Sequence, residues 1–169
     1  MARLFYAVWP DAESARALAA HALRLAEETG GRPVREDQIH LTLAFLGDVS
    51  DARRAAALDA AKIRGRPFEL SIDRTGAFRR AGVAWAGPSE TPKGLLDLQA
   101  KVESRLRERG FELDERKFAP HVTLVRRTLR SAVATSIEPI PWRVGEFTLV
   151  RSETGTGRYS IEQRWKLER

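Results

Sequence analysis

Two of the three histidines in this 169-residue chain begin the same four-residue pattern, His-x-Thr-Leu. In a β-strand, residues two positions apart point to the same face, so each pattern places its imidazole beside its threonine hydroxyl. These pairs are His40 with Thr42 and His121 with Thr123. The alternate positions are apolar and are predicted to face the core: Leu41, Leu43, Phe45, Val122 and Leu124.

Two histidines that face one cleft can divide proton transfer between them. An unperturbed histidine has a pKa of about 6.5, so one imidazole can accept a proton near neutral pH while the other donates one. The threonine hydroxyls can hydrogen-bond an anion held between the imidazoles. A phosphodiester fits this arrangement, because its cleavage needs a base for the nucleophile and an acid for the leaving oxygen. The repeated pattern therefore predicts metal-free acid-base chemistry on a phosphodiester.

Other chemistries have weaker support in the sequence. It contains no Gly-x-Ser-x-Gly elbow, no Gly-x-x-x-x-Gly-Lys phosphate loop and no His-Glu-x-x-His motif. A zinc site remains an alternative, with acidic residues distant in sequence as its further ligands. Two separated histidines are, however, a weak metal signature. The chain has no cysteine, which excludes disulfides and thiolate chemistry and favours a cytoplasmic protein. The third histidine, His21, is predicted to be partly buried on a helix.

Composition and charge restrict the class of protein further. The chain has 29 basic and 23 acidic side chains, a formal charge of +6, which favours polyanionic partners such as RNA or phosphorylated metabolites. The same net charge is equally explained by an arginine-rich surface that faces solvent and binds no polyanion. No run approaches the ~18 apolar residues of a membrane span, so we expect no membrane partner. With 43% hydrophobic residues, the chain can form a packed core, and we expect residues 1–169 to form one domain.

The elements that must position the histidines follow from periodicity and from capping signals. Three helices are predicted, and their boundary residues are Asp11 to Gly30 and Gly31, Ser50 or Asp51 through Ile63 to Gly65, and Thr91 and Pro92 to Gly110. About seven strands are predicted, two of them carrying the histidine motifs, the first over residues 39–46. After the second motif we expect a less regular stretch and then a single strand, "WRVGEFTLV". Because strands and helices do not alternate strictly, we expect an α+β fold with mainly antiparallel sheets.

Five segments in order resemble the two-histidine (2H) phosphoesterase superfamily, and within it the RNA 2',3'-cyclic phosphodiesterases, also called 2'-5' RNA ligases. They are "RLFYAVWP", "IHLTLAFLG", "GAF" followed by "GVAWAG", "FAPHVTLVR" and "FTLVRSETGTGRYSIEQRWKL". The resemblance extends over nearly the whole chain. It implies two pseudo-symmetric lobes of mainly antiparallel sheet flanked by helices, with an active-site cleft between them.

The resemblance also implies an activity and residue roles. The reaction is opening of a 2',3'-cyclic phosphate at an RNA or oligonucleotide end to a 2'-phosphate, with no metal and no cofactor. His40 corresponds to the proton donor and His121 to the proton acceptor. Thr42, Thr123 and Arg126 correspond to residues that contact the phosphate. The same site run in reverse makes a 2'-5' linkage, and we expect a monomer.

Two features depart from a simple reading of the motifs. Arg126 lies five residues after His121, an odd offset that turns it away from a regular strand's histidine face unless a bulge, a strand end or its reach intervenes. Family members often carry an aromatic residue and a proline pair before the first motif, where this chain reads "GRPVREDQIH". The candidates for base stacking are therefore aromatic residues outside this segment, namely Phe5, Tyr6, Phe78 and Tyr159.

Two other functions remain open from the sequence. An RNA- or nucleotide-binding module without turnover would use the same cleft and Arg126, and it would bind in a salt-dependent manner even without the histidines. A cyclic phosphodiesterase for a small nucleotide would keep the chemistry and change the substrate, because the motifs address the phosphate alone.

Overall fold

Nine antiparallel strands form one sheet in the computed structural model of the protein, which describes residues 1–153 and 155–169. The strands are β1 (Ala2–Val8), β2 (Arg32–Pro33), β3 (Leu41–Val49), β4 (Phe68–Phe78), β5 (Val83–Gly87), β6 (Val122–Arg126), β7 (Thr135–Val144), β8 (Glu146–Ser152) and β9 (Tyr159–Lys166). The α-helices are α1 (Ala12–Thr29), α2 (Asp51–Asp59) and α3 (Lys93–Glu108), and a 3-10 turn spans Glu36–Gln38. In the part of the chain that the structure describes, no helix is both long and apolar enough to cross a membrane.

The sheet divides into two halves at its centre. Its strand order is β7-β4-β5-β6-β3-β1-β8-β9, with β2 added beside β6. The central strands β3 and β6 are joined through one residue pair, Leu41 and Val122, whereas the other neighbours pair over several residues. We call β3, β1, β8 and β9 the first half-sheet, and β6, β5, β4, β7 and β2 the second half-sheet. They correspond to the two lobes expected from the sequence.

The two halves repeat the same chain path. A strand leads into a long helix, and the chain returns as an antiparallel neighbour of that strand, once as β1-α1-β3 and once as β5-α3-β6. Each helix crosses to the opposite half: α1 packs on β6 and β7, and α3 packs mainly on β3. This exchange confirms the pseudo-symmetric α+β architecture and holds the halves together where strand pairing is weakest.

The core lies between the helices and the sheet because each long helix has one apolar face. The fully buried residues recur every three or four positions: Leu18, Ala22 and Leu25 in α1, and Leu95, Leu98, Val102 and Leu106 in α3. Burying each such large side chain stabilises the fold by about 1.5–3 kcal/mol. The predicted start of α1 is confirmed, since Asp11 Oδ1 accepts from the Ser14 amide at 2.8 Å. Its end at Gly30 is confirmed by a left-handed φ of 73°.

Some element boundaries differ from the prediction. Helix α2 ends at Asp59 instead of continuing to Ile63, because the next amides bond three residues back, Ala61 to Leu58 and Lys62 to Asp59. Helix α3 begins at Lys93, one residue later than predicted.

Nine strands form where about seven were predicted. The segment predicted as one strand, "WRVGEFTLV", is divided at Gly145 into β7 and β8, and the two-residue strand β2 was not foreseen. The later part of the irregular stretch after the second motif, from Thr135 onward, also belongs to β7, despite Pro139 and Pro141. Proline is tolerated there because β7 lies at the sheet edge and pairs with β4 alone among its described neighbours.

Candidate active site

Both motif histidines lie at the junction of the half-sheets. His40 immediately precedes β3 and His121 immediately precedes β6, so each lies one residue before its strand instead of within it. The junction pair is formed by the residues that follow them, Leu41 and Val122. Continuing this antiparallel register by one residue brings each histidine towards the threonine of the other motif. The sheet therefore gathers both imidazoles and both hydroxyls at one point.

Each imidazole is held by the carbonyl oxygen two residues before it. His40 Nδ1 lies 2.7 Å from the Gln38 carbonyl oxygen, and His121 Nδ1 lies 2.9 Å from the Ala119 carbonyl oxygen. A carbonyl oxygen only accepts hydrogen bonds, so Nδ1 is the donor in both rings. The tautomer is thereby set, and Nε2 of each ring is left to exchange a proton with a substrate.

Aromatic rings restrict both imidazoles. Phe5 stacks on His40 with centroids 4.9 Å apart, and Phe78 contacts His121 edge-on at the same distance. Tyr159 meets His40 edge-on at 5.4 Å. Of the four stacking candidates from the sequence, Tyr6 is wrong, because it is fully buried in the core and donates its hydroxyl to the Ala57 carbonyl.

A β-bulge in the second motif places Arg126 in the cleft. On β5, Trp85 pairs with Thr123 and Ala84 with Val125, so Leu124 has no residue opposite it. Leu124 and Val125 are both buried, and the alternation of faces resumes one position late. The bulge therefore turns Arg126 onto the face of Thr123, which answers the question raised by its odd offset.

The first motif contains the same kind of bulge. This bulge corrects the expectation that Phe45 faces the core. On β1, Ala7 pairs with Thr42 and Tyr6 with Ala44, which leaves Leu43 without a partner on that strand. Phe45 was predicted to face the core with Leu41 and Leu43. It pairs instead with Phe5 on the cleft side, and 53% of its surface is exposed.

One cleft of about 1040 Å³ contains all five predicted site residues, namely His40, Thr42, His121, Thr123 and Arg126. It runs from the junction along β3 towards Gly47 and is bordered by Gln99 and Glu103 of α3. Its other basic residues are Arg3, Arg80, Arg116 and Lys117, and its other acidic residues are Glu112 and Asp114. An anionic substrate longer than a single nucleotide would meet cations along this cleft.

The electrostatic environment of His40 favours its neutral form. Burial beneath the aromatic rings is the main cause that lowers the pKa of His40 to about 4, and the positive charge of Arg126 and the neighbouring His121 act in the same direction. The hydrogen bond to the Gln38 carbonyl acts in the opposite direction but is outweighed. His21 is half-buried on α1, as predicted, and lies outside the residues that line the cleft.

Several residues that shape the site were missed by sequence reasoning. The carbonyls of Gln38 and Ala119 act through the backbone, so no side-chain pattern reveals them. Phe45 could have been found, because it follows His40 at the same offset as Arg126 follows His121. Over residues 1–153 and 155–169, no group of three or more potential ligand side chains is arranged to hold a metal ion.

Comparison with known proteins places this geometry in a family. Residues 8–156 match the model of the 2'-5' RNA ligase superfamily. The RNA 2',3'-cyclic phosphodiesterase of Escherichia coli (strain K12) is 37% identical over 98% of this chain and 96% of its own length. The protein of that name from Thermus thermophilus is 34% identical over 89% of this chain and 82% of its own.

Solved structures agree with the sequence relatives. The crystal structure of E. coli LigT complexed with 3'-AMP superposes with a TM-score of 0.90 and 34% identity, covering 99% of both chains. The match includes both half-sheets and the junction between them. The chain therefore belongs to the 2'-5' RNA ligase superfamily.

Proposed function

We propose that the protein is an RNA 2',3'-cyclic 3'-phosphodiesterase that opens cyclic phosphate ends of RNA or oligonucleotides to 2'-phosphates. The observation that carries the proposal is the pair of imidazoles at the half-sheet junction, each with Nδ1 bound to a carbonyl and with no hydrogen bond to Nε2 from any described residue. The names of its relatives support the reaction. The complex of LigT with 3'-AMP supports a nucleotide as the ligand.

The two histidines have different roles in the proposed step. His121 Nε2 removes a proton from a water molecule, whose oxygen attacks the phosphorus opposite the 3'-oxygen. The bond between phosphorus and the 3'-oxygen breaks, and His40 Nε2 gives its proton to that oxygen. The products are a 2'-phosphomonoester and a free 3'-hydroxyl. One proton enters at His121 and one leaves at His40, so the protons of the step balance between the two rings.

The remaining site residues hold the phosphate. Thr42 and Thr123 are half-buried on the cleft side of their strands, and their hydroxyls donate to the non-bridging oxygens. The Arg126 guanidinium adds the positive charge that the developing phosphorane dianion requires. These donors are fixed by strands and not by loops, so little reorganisation is needed when charge develops.

Substrate binding also prepares His40 for its role. With a pKa of about 4, His40 is neutral in the free protein at neutral pH, and its Nε2 then has no proton to donate. A phosphodiester anion beside the imidazole raises the pKa of His40, because the opposite charge stabilises the protonated ring. The acid is thus formed when the substrate is present.

The joining of RNA ends is part of the same proposal. The 2'-5' linkage forms when the 5'-hydroxyl of a second RNA replaces water as the nucleophile. His121 again removes the proton from the attacking hydroxyl, and His40 again protonates the 3'-oxygen. In water, hydrolysis dominates unless both RNA ends are held together. We further infer from the sequence that residues 1–169 act as one two-lobed domain, as a monomer in the cytoplasm.

The histidine variants test the assignment. His40→Ala and His121→Ala should each lower kcat by about 10²–10⁴-fold while circular dichroism stays unchanged, because each removes one proton transfer. His21→Ala is the matched control, since this third histidine lies on α1 away from the cleft lining, and it should keep full activity. Full turnover by either motif variant would contradict the proposal.

The product identifies the direction of the chemistry. The metal-stripped protein, with chelator present, should convert an oligoribonucleotide with a 2',3'-cyclic phosphate end to the 2'-phosphate. A 3'-phosphate product would overturn the donor role of His40 beside the 3'-oxygen. Turnover that appears only after a divalent metal is added would favour the zinc alternative, and salt-dependent binding without turnover would favour the binding module.

A further inference from the structure

A second groove lies beside α3, and none of its lining residues belongs to the cleft that contains the motif histidines. It has a volume of about 980 Å³ and is formed by the segment between α2 and β4, the first half of α3, and the end of β9 with the residues after it. The Glu168 amide donates to the Gly65 carbonyl at 2.9 Å, and Lys101 Nζ donates to the Arg64 carbonyl at 2.7 Å. These bonds hold the three segments together. We call this feature the α3 groove.

The lining of the α3 groove is strongly basic. Its basic residues are all exposed: Arg64, Arg66, Lys93, Lys101, Lys166 and Arg169. Its acidic residues are Asp97 and Glu168 alone.

These cations are not neutralised by the protein itself. None of the six has an acidic partner within 4 Å among the described residues. In the catalytic cleft, by contrast, Arg3 and Arg116 are paired with Asp48 and Asp114. A concave surface with free cations of one sign concentrates a polyanion, because its phosphates replace small counterions there. The α3 groove therefore has the electrostatic character of a phosphate-binding surface.

Helix α3 separates the groove from the catalytic cleft. Gln99 and Glu103 border the cleft, whereas Asp97 and Lys101 line the groove. Successive residues of an α-helix are about 100° apart, so residues two positions apart point in nearly opposite directions. Because a helix with its side chains is about 10–12 Å wide, only a chain long enough to cross α3 can occupy both places.

The outer surface of α3 offers a path for such a chain. Between its two sides, the helix exposes a row of uncharged residues, namely Leu96, Ala100 and Ser104. No carboxylate in this row repels a phosphate. A flexible anionic strand that leaves the catalytic cleft over α3 would next meet the free cations of the groove.

We propose that the α3 groove binds the phosphates of the RNA strand several nucleotides upstream of the cyclic phosphate end. This inference rests on the proposed function and extends it, because it makes a longer RNA a better substrate than a dinucleotide. A strand fits better than a single nucleotide, since the six cations come from three chain segments and can meet several phosphates at once.

Two substrates with the same last two nucleotides test the groove. One is a dinucleotide with a 2',3'-cyclic phosphate end, and the other is a single strand of about 12 nucleotides, a length that comparable binding sites span. Wild-type kcat/KM at low salt should be higher for the longer strand. It should also fall more steeply with salt, because more phosphates are contacted.

The double variant Arg66→Gln/Lys93→Gln removes two groove cations. Its kcat/KM for the longer strand should fall by about 10-fold at low salt, and the slope of log kcat/KM against log[salt] should become shallower by about 1.4, since each phosphate contact of a single strand contributes about 0.7. The dinucleotide should react as with wild-type protein, because it does not reach across α3. The matched control is Arg16→Gln/Arg24→Gln, which removes the same charge from exposed positions on α1 outside both linings and should keep wild-type values.

The outcomes separate this inference from the proposed function. Equal salt slopes in wild-type protein and the groove variant would overturn the inference and leave the phosphodiesterase assignment standing. An equal loss for both substrates, or an equal loss in the control variant, would show a general charge effect and would also overturn it.

Binding gives a readout that does not depend on turnover. Fluorescence anisotropy with the longer strand, carrying a 2'-phosphate end, should show weaker and less salt-dependent binding by the groove variant than by the control. If wild-type protein turns over neither substrate, the proposed function fails, and this measurement still decides the groove. Equal binding by the groove and control variants would overturn the inference and would favour an acidic protein surface as the partner.

Discussion

At the scale of single residues, the environment of His40 decides its protonation. Its imidazole is bounded by the rings of Phe5, Trp9 and Tyr159, with centroids 4.9, 5.1 and 5.4 Å away. These rings exclude water, and desolvation penalises the charged imidazolium. Arg126 opposes protonation through its positive charge. In the proposed reaction, an acid that is neutral until an anion arrives would link protonation to substrate binding.

The pKa of His40 can be measured directly. Nuclear magnetic resonance titration of the three histidines should give His40 a pKa of about 4 in the free protein. Arg126→Gln should raise this pKa, because it removes a nearby positive charge, and added inorganic phosphate should raise it in wild-type protein. A value near 6.5 in free wild-type protein would show that the ring is hydrated and would contradict the argument.

Protein stability gives a second readout of the same shift. Between pH 6.5 and about 4 the unfolded chain binds a proton at His40 that the folded protein does not. Acidification through this range should therefore destabilise the fold, by up to about 1.4 kcal/mol per pH unit. Denaturation of wild-type and His40→Gln protein at pH 7 and pH 5 should show a smaller loss in the variant.

At the scale of elements, close packing of β4 against β5 supports the wall beside His121. Gly76 pairs with Trp85, and a Cβ added at Gly76 would lie 2.6 Å from the Trp85 ring. Trp85 in turn contacts Phe78, with centroids 5.5 Å apart, and Phe78 contacts His121. The absence of a side chain at Gly76 allows the indole to lie flat across the strand.

Gly76→Ala should therefore destabilise the protein by about 1–3 kcal/mol, because the indole must move from a packed position. Gly145→Ala is the matched control: its added Cβ meets no atom within 4 Å, and its φ is not in the left-handed region. Urea denaturation of both variants measures the difference. Equal stability of the two variants would show that Trp85 moves without cost.

At the scale of the whole molecule, the positive charge is not uniformly neutralised. Many arginines form surface ion pairs, such as Arg143 with Glu69 and Arg164 with Glu146. Arg80 and Lys117 line the cleft, and neither has an acidic partner within 4 Å among the described residues. A cleft with free cations attracts a polyanion over a longer range than it attracts a mononucleotide.

Salt should distinguish these cleft cations from cations elsewhere on the surface. The kcat/KM for an oligonucleotide should fall as salt increases, and the slope of its logarithm against log[salt] should be smaller in Arg80→Gln and Lys117→Gln. Arg16→Gln removes the same charge from an exposed position on α1 outside the cleft and should keep the wild-type slope. Identical slopes in all variants would mean that substrate does not contact this end of the cleft.

The sequence by itself determined both motifs and most of the elements. Strand periodicity and helix capping are local, so α1, the α+β class, and the shared face of each histidine and threonine followed from neighbours along the chain. Two copies of one pattern were enough to predict a single cleft, and the structure brings His40, Thr42, His121 and Thr123 into it.

The tertiary structure alone decided what lies beyond the threonines. A bulge is created by the register of the neighbouring strand, which is distant in sequence, so the reversal of faces at Leu43 and Leu124 could not be derived from alternation. That reversal brings Arg126 into the cleft and removes Phe45 from the predicted core. Likewise, the burial that lowers the pKa of His40 comes from rings on other strands, which meet only when the sheet has formed.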